Sequence, residues 1–274
     1  MNSISVIIPT CNRAHLLPRC LDSVISQELK PLEIIVVDDG STDATRDLVQ
    51  RDYPGVKLIS QENKGVSAAR NAGIGAAGGD WLAFLDSDDA WLPGKLKRQM
   101  QAVRKSPGIG IVHTEEIWIR NGVRVNPHLK HRKYGGSIFK YCLPLCVISP
   151  SSVMIRRRVF DRVGLFDETL PVCEDYDLWL RICARMPVAF VRDPLLTKYG
   201  GHPDQLSTRY WGMDRFRIRS LDRILNEVEL EPSDRKAAID TLVGKIRIYL
   251  NGARKHSNRG FVPECEQLLA RYAH

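Results

Sequence analysis

The chain has 274 residues, with 40 Lys plus Arg against 32 Asp plus Glu, a formal net charge of +8. Apolar residues make up 43% and charged residues 26%, which suits one large globular domain or two intimate ones and excludes a disordered, collagenous or coiled-coil chain. No stretch approaches the roughly 18 unbroken apolar residues of a membrane span, and MNSISVIIPT lacks the basic start and cleavage site of a secretory signal, so a cytoplasmic protein is expected.

The first 110 residues alternate strand and helix patterns. Ile4–Ile8 is a β-branched run closed by Pro9, which predicts a buried strand. Leu16, Leu17, Cys20, Leu21, Val24 and Ile25 recur at helical spacing, so a helix is expected to about Gln27. Glu33–Val37 is a second strand, ending in the acidic turn Asp38-Asp39-Gly40-Ser41, and Ser41 or Thr42 is a candidate cap for a helix running to about Arg51. Val56–Ile59 and Trp81–Leu85 are further strands, separated by a small-residue helix over 65–77. Leu96, Met100 and Val103 mark the next helix.

Beyond residue 110 the pattern loosens. Residues 120–150 read as loops, 151–155 as a strand and 156–163 as a short helix. Leu178, Trp179, Ile182 and Met186 mark a helix whose first turn holds Glu174, Asp175 and Asp177, where the helix dipole favours acids. Residues from about 213 to 270 are two or three amphipathic helices.

Repeated βα units predict a mostly parallel sheet flanked by helices, a Rossmann-like α/β fold with a C-terminal helical tail. In such sheets ligands bind outside the carboxyl ends of the strands. Thr10, Asp38-Asp39 and Asp86–Asp89 all follow strands, so three polar clusters converge on one edge. The first βα turn, Pro9–Arg13, is not the glycine fingerprint of a dinucleotide-binding fold, and no phosphate-binding P-loop occurs in the chain. Asp86-x-Asp88-Asp89 packs three carboxylates that a divalent cation would relieve, and their hard oxygens suit Mg²⁺ or Mn²⁺. With Asp38-Asp39 nearby, the set fits a nucleoside diphosphate.

Five segments carry a family resemblance in order: Ser5–Arg13 (SVIIPTCNR), Val36–Asp43 (VVDDGSTD), Asn63–Asn71 (NKGVSAARN), Phe84–Asp89 (FLDSDD) and Glu174–Arg181 (EDYDLWLR). Together they resemble the family 2 inverting glycosyltransferases of the GT-A fold, over about residues 3–210. The resemblance implies a donor-binding half over 1–110 and an acceptor-binding half over 111–210, with the basic helical tail over 211–274 outside it. It implies that Pro9, Thr10 and Arg13 line a nucleotide pocket and that Asp39 reads a base edge, with uracil and hence a UDP-sugar expected. Asp86 would approach the ribose or a metal-bound water, and Asp88 would ligate the metal. Arg70 would order the acids or phosphates, Asp175 would be the general base with Glu174 beside it on the acceptor side, and His202 would lie near the diphosphate and its metal. An ordinary surface histidine is an equal reading of His202.

The processive members' QxxRW motif has only a near miss at Gln205–Trp211, which predicts a non-processive enzyme. A nucleotidyltransferase would also use metal-binding carboxylates, but it calls for a basic, Gly-rich loop that Pro9–Arg13 does not provide. A nucleic-acid module would use the basic stretch, yet the acid clusters would repel a phosphate backbone, so no nucleic-acid partner is expected. Seven cysteines in no zinc-like spacing are read as free thiols in a reducing cytosol.

The net charge sharpens the acceptor side. Residues 1–110 balance at 13 basic and 13 acidic groups, whereas 111–274 carry 27 and 19. Ile117 to Phe160 holds nine Lys or Arg and no acid. Such a run suits an anionic acceptor, a glycan or lipid-linked saccharide, or the cytoplasmic membrane face, at about 1 kcal/mol per basic group. A solvated basic loop is the plain alternative.

Overall fold

A computed structural model describes residues 2–201, 210–256 and 260–273. The strands are β1 (Ile4–Thr10), β2 (Glu33–Asp39), β3 (Lys57–Gln61), β4 (Trp81–Phe84), β5 (Ala90–Trp91), β6 (Ile111–Arg120), β7 (Val123–Val125), β8 (Met154–Arg156) and β9 (Ala189–Gly200). They form one sheet in the order β3-β2-β1-β4-β8-β6-β9-β5, with β7 paired to the outer part of β6. The first four strands are parallel, as the βα repeats require. Antiparallel pairing enters where β8 joins β4 and β6, so the sheet as a whole is mixed.

Strand alternation decides the layering. Ile4, Val6 and Ile8 of β1 and Ile34 and Val36 of β2 face one core. That core is closed by α1 (Leu17–Ile25) and α4 (Lys95–Lys105). Ile7, Ile35 and Val37 face the other core, covered by α3 (Val66–Ala76) and the C-terminal helices. Both faces are apolar because both are covered. A Cβ on Gly73 of α3 would press on Ile7 Cγ2, so α3 lies tight against β1.

Several boundaries differ from the sequence expectation, each for a local reason. The first strand continues through Pro9 to Thr10. The Ile7 carbonyl accepts from Leu85 N–H, so two residues on, the missing N–H of Pro9 points to the side where β4 no longer pairs. The helix α2 (Thr45–Asp52) is not capped by Ser41 or Thr42. Ser41 Oγ instead accepts from Asn12 N–H at 2.8 Å, and Asn12 Oδ1 accepts from Thr42 N–H at 2.7 Å, which stitches the first two βα turns together.

The largest departure is β9, which pairs with β6 across a bulge at Glu115, opposite Pro194. Past β5 and β6 the chain forms α5 (Phe139–Cys142), α6 (Phe160–Val163) and α7 (Glu174–Cys183). The tail is three helices, α8 (Asp214–Glu227), α9 (Pro232–Lys255) and α10 (Val262–Tyr272). Phe216, Leu221, Leu242 and Leu268 from these helices join the core that α3 and α7 share. Among the described residues no helix is long and apolar enough to cross a membrane.

Candidate active site

The carboxyl ends of β1, β2 and β4 meet the start of α7 and the end of β9. A single cation joins two of these elements. Arg70, buried on α3, places Nη2 2.7 Å from Asp86 and Nη1 2.5 Å from Glu174. Its guanidinium also lies 5.2 Å from the centroid of Phe166. An arginine suits this place because its planar fork can meet two acids at once. Burial pushes the Glu174 carboxyl up to about 7, against the opposing pull of Arg70, and neighbouring Asp175 adds to the rise. Glu174, expected on the acceptor side, shares Arg70 with Asp86, because a carboxylate in this interior needs a cation.

The acids after β4 do not form a three-carboxylate cluster. Asp86 faces Arg70 and is partly open. Asp89 is turned inward, accepting from Ser151 Oγ at 2.7 Å and from Tyr199 N–H at 3.1 Å. Burial and the Asp88 charge raise its pKa well above the ordinary carboxylate range. Asp88 stays at the rim, half-buried. Its backbone carbonyl accepts from Arg19 Nη2 at 2.6 Å, and the Arg19 guanidinium lies 3.6 Å over the Tyr199 ring. The loop is thus fixed to both α1 and β9. Among the described residues no group of three His, Cys, Asp or Glu could hold a metal ion.

Asp38 and Asp39 divide their tasks. Asp38 is fully buried and ion-paired with Arg46. Asp39 accepts from Gln61 Nε2 at 2.8 Å, from Lys64 N–H at 2.9 Å and from Gly65 N–H at 2.8 Å. It closes the N-terminus of α3, whose cap residue Gly65 has φ +91°. A carboxylate has about four acceptor positions, so this leaves Asp39 room for one more donor. Pro9 and Thr10 end β1 directly beside this pair. The Thr10 hydroxyl is buried and finds no hydrogen-bond partner among the described residues, nor does that of Ser67. Arg13 sits in the turn after β1, its N–H donating to Thr45 Oγ1 at 3.0 Å.

Asp175 occupies the first turn of α7, half-buried, one residue beyond Glu174. The helix is entered through Cys173 in the left-handed region, φ 64°. Such strain in a non-glycine residue is concentrated at functional sites. The Cys146 thiol donates to Asp175 Oδ2 at 3.2 Å. Burial and the Asp175 charge push that thiol well above its ordinary pKa, so it remains a neutral donor. The third acid of this turn, Asp177, is spent in a buried pair with Arg181 at 2.8 Å. His202 and residues 205–209 of the near-miss motif lie outside the described residues.

Lys198, Ser151, Arg19 and Cys146 were not singled out by sequence reading. Lys198-Tyr199 stands directly before Gly200-Gly201-His202, so the flagged histidine was the available pointer to it. The acid-free run also reads differently in three dimensions. Lys133 is buried against Glu116 at 3.1 Å, Lys140 pairs with Asp234 at 3.4 Å, and Arg157 donates to the carbonyls of Ile74 in the last turn of α3 and of Ala77 and Gly79 beyond it. Arg120, Arg124, Lys130 and Arg132 stay exposed around the β6–β7 hairpin.

A curled α/β sheet with polar clusters at its strand ends is the GT-A architecture. The fold matches Staphylococcus aureus TarS residues 1–349 in complex with UDP-GlcNAc at a TM-score of 0.72 and 21% identity, covering 98% of this chain and 80% of that one. Residues 5–164 match the family described as Glycosyl transferase family 2. The chain belongs to that family. An uncharacterised glycosyltransferase of Nostoc sp. is 44% identical over 118 residues, 42% of this chain and 37% of that protein. An uncharacterised glycosyltransferase of Rickettsia prowazekii is 28% identical over 204 residues, 70% and 62% of the two chains. Chondroitin synthase of Escherichia coli is 31% identical over 183 residues, 65% and 26%. The chain thus spans less than two thirds of the length of these relatives.

Proposed function

We propose that this chain transfers one sugar at a time from a nucleoside-diphosphate sugar, a UDP-sugar, to an acceptor hydroxyl with inversion. The observation that carries this reading is the Arg70 bridge, which ties Asp86, after β4, to Glu174, the residue before Asp175 in the first turn of α7. Residues 1–110 form the donor half and 111–210 the acceptor half, with 211–274 bracing α7 from behind.

In this reading the nucleotide lies across the ends of β1 and β2. Pro9, Thr10 and Arg13 line it, the remaining acceptor capacity of Asp39 meets a uracil N–H, and the orphaned Thr10 hydroxyl gains a partner. Asp86, held by Arg70, faces the ribose. Asp175 takes the proton of the acceptor hydroxyl as it attacks, a role that needs a carboxylate within hydrogen-bond reach and a fixed rotamer. Cys146 supplies the fixing contact.

The residues fit a divalent cation of the Mg²⁺ or Mn²⁺ kind. Of the three carboxylates after β4, Asp88 stands half-buried at the rim, which suits an ion that keeps its waters and takes phosphate oxygens. His202 is a second candidate ligand from the sequence. When bound, such an ion supplies Lewis-acid stabilisation to the departing diphosphate.

The acceptor is read as a glycan or lipid-linked saccharide. The four exposed cations around the β6–β7 hairpin are the part of the basic run read as meeting its anionic group or an anionic membrane surface. Binding stabilises a fold by mass action, so a thermal-shift panel of nucleoside diphosphates and nucleotide-sugars with Mn²⁺ tests the donor class. UDP and a UDP-sugar are expected to raise Tm. Stabilisation by nucleoside triphosphates alone, with pyrophosphate release, would overturn it.

A further inference from the structure

The site holds a second cation whose state differs from that of Arg70. Lys198 lies near the end of β9, next to Tyr199, whose N–H is bonded to Asp89, the neighbour of Asp88. The charges of Glu116, Asp89, Asp86 and Asp175 act on its ammonium and hold its pKa above the ordinary lysine value. Yet no carboxylate lies within ion-pair distance of it among the described residues; its hydrogen bond is a long one, 3.4 Å to Ser149 Oγ. Three buried cations elsewhere in the fold hold acids. Arg70 holds two acids, Lys133 holds Glu116 and the Val147 carbonyl, and Arg181 holds Asp177.

An ammonium carries three donors. Among the described residues Lys198 therefore keeps N–H groups unspent, at the junction between the donor acids and the proposed base. Burial alone would favour losing its proton, but those four carboxylates outweigh that and keep it charged. Adding a diphosphate to an edge already lined by Asp86, Asp88 and Asp175 concentrates negative charge, and Arg70 is too committed to offset it. A lysine is a compact point charge suited to phosphate oxygens. The Asp89 bonds to Ser151 and Tyr199 hold the β9 end and the Asp86–Asp89 loop in one rigid frame.

We propose that Lys198 is a catalytic residue that donates to a diphosphate oxygen of the nucleotide-sugar and stabilises that group as it leaves. This rests on the donor reading given above. Charge-assisted bonds of this kind are worth roughly tenfold to a hundredfold in affinity.

The test is calorimetric titration of UDP and of uridine into the full chain, wild type, Lys198→Gln and Lys198→Arg. The neutral variant is expected to lose about tenfold or more in UDP affinity and to keep its uridine affinity, with Lys198→Arg close to wild type for both. Equal UDP affinity in wild type and Lys198→Gln, or a parallel loss of uridine, overturns the proposal. The wild type in chelator needs no variant: UDP is expected to bind more tightly than uridine there, and equal or weaker UDP binding contradicts it. A wild type that binds neither ligand under any condition instead overturns the donor reading itself.

Discussion

Arg70 Nη1 stands 2.5 Å from Glu174 Oε1 across 104 positions of sequence, and the same guanidinium reaches Asp86. One side chain therefore couples the strand-end loop that carries Asp86, Asp88 and Asp89 to the helix that carries Asp175.

Removing that cation leaves the buried Glu174 and the partly open Asp86 without their shared partner. Arg70→Met is expected to lower unfolding free energy by about 3 to 5 kcal/mol in urea titration, the usual cost of stripping one partner from a buried pair. Arg70→Lys is expected to recover only part, because a single ammonium cannot span both carboxylates.

The Glu174 carboxyl, raised to about 7 by burial, links stability to pH. Between about pH 4.5 and pH 7 the folded chain holds a proton there that the unfolded chain has released. Its contribution is therefore complete below about 4.5 and is lost as pH rises through 7. Glu174→Gln removes this dependence. Relative to wild type the variant is expected to be more stable at pH 8 than at pH 5 in paired denaturation curves; the opposite trend contradicts the assignment.

Gly73→Ala tests the seat of the helix that carries Arg70. Alanine gains about 1 kcal/mol of helix propensity, but its methyl would press on Ile7 within a sealed core, an overpacking cost of about 1 to 3 kcal/mol. The clash is expected to win, with a lower Tm and weaker UDP binding together.

Much of this arrangement was legible in the chain, and what was not has physical reasons. The near-continuous β-branched runs Ile4–Ile8 and Glu33–Val37 mark strands covered on both faces, and the polar residues after them fall at one edge. β9 was hidden because Pro194 and the charges at Arg192 and Asp193 break alternation at a bulge that only pairing with β6 explains. The acids after β4 are neighbours in sequence, but tertiary partners sort them: Asp86 to Arg70, Asp89 to Ser151 and Tyr199, Asp88 to the rim. The partner of Glu174 was not legible because nothing local shows that its cation comes from residue 70. Lys198 acquires meaning only once four carboxylates from separate elements act on it.

Asp88→Ala addresses the metal. Wild-type UDP affinity is expected to rise on adding Mn²⁺, and the variant to lose that gain while keeping its metal-free affinity. Identical wild-type affinity with and without Mn²⁺ contradicts a metal at this position.

The central claim is that Asp175 removes the acceptor proton while the acids at the strand ends hold the donor. Asp175→Asn is close to isosteric and keeps the contact to Cys146, so turnover of a UDP-sugar in the presence of acceptor, measured beside UDP affinity on the same preparation, is the most direct test. The account predicts transfer lost by several orders of magnitude with UDP affinity within about twofold of wild type. Wild-type turnover in that variant would contradict it.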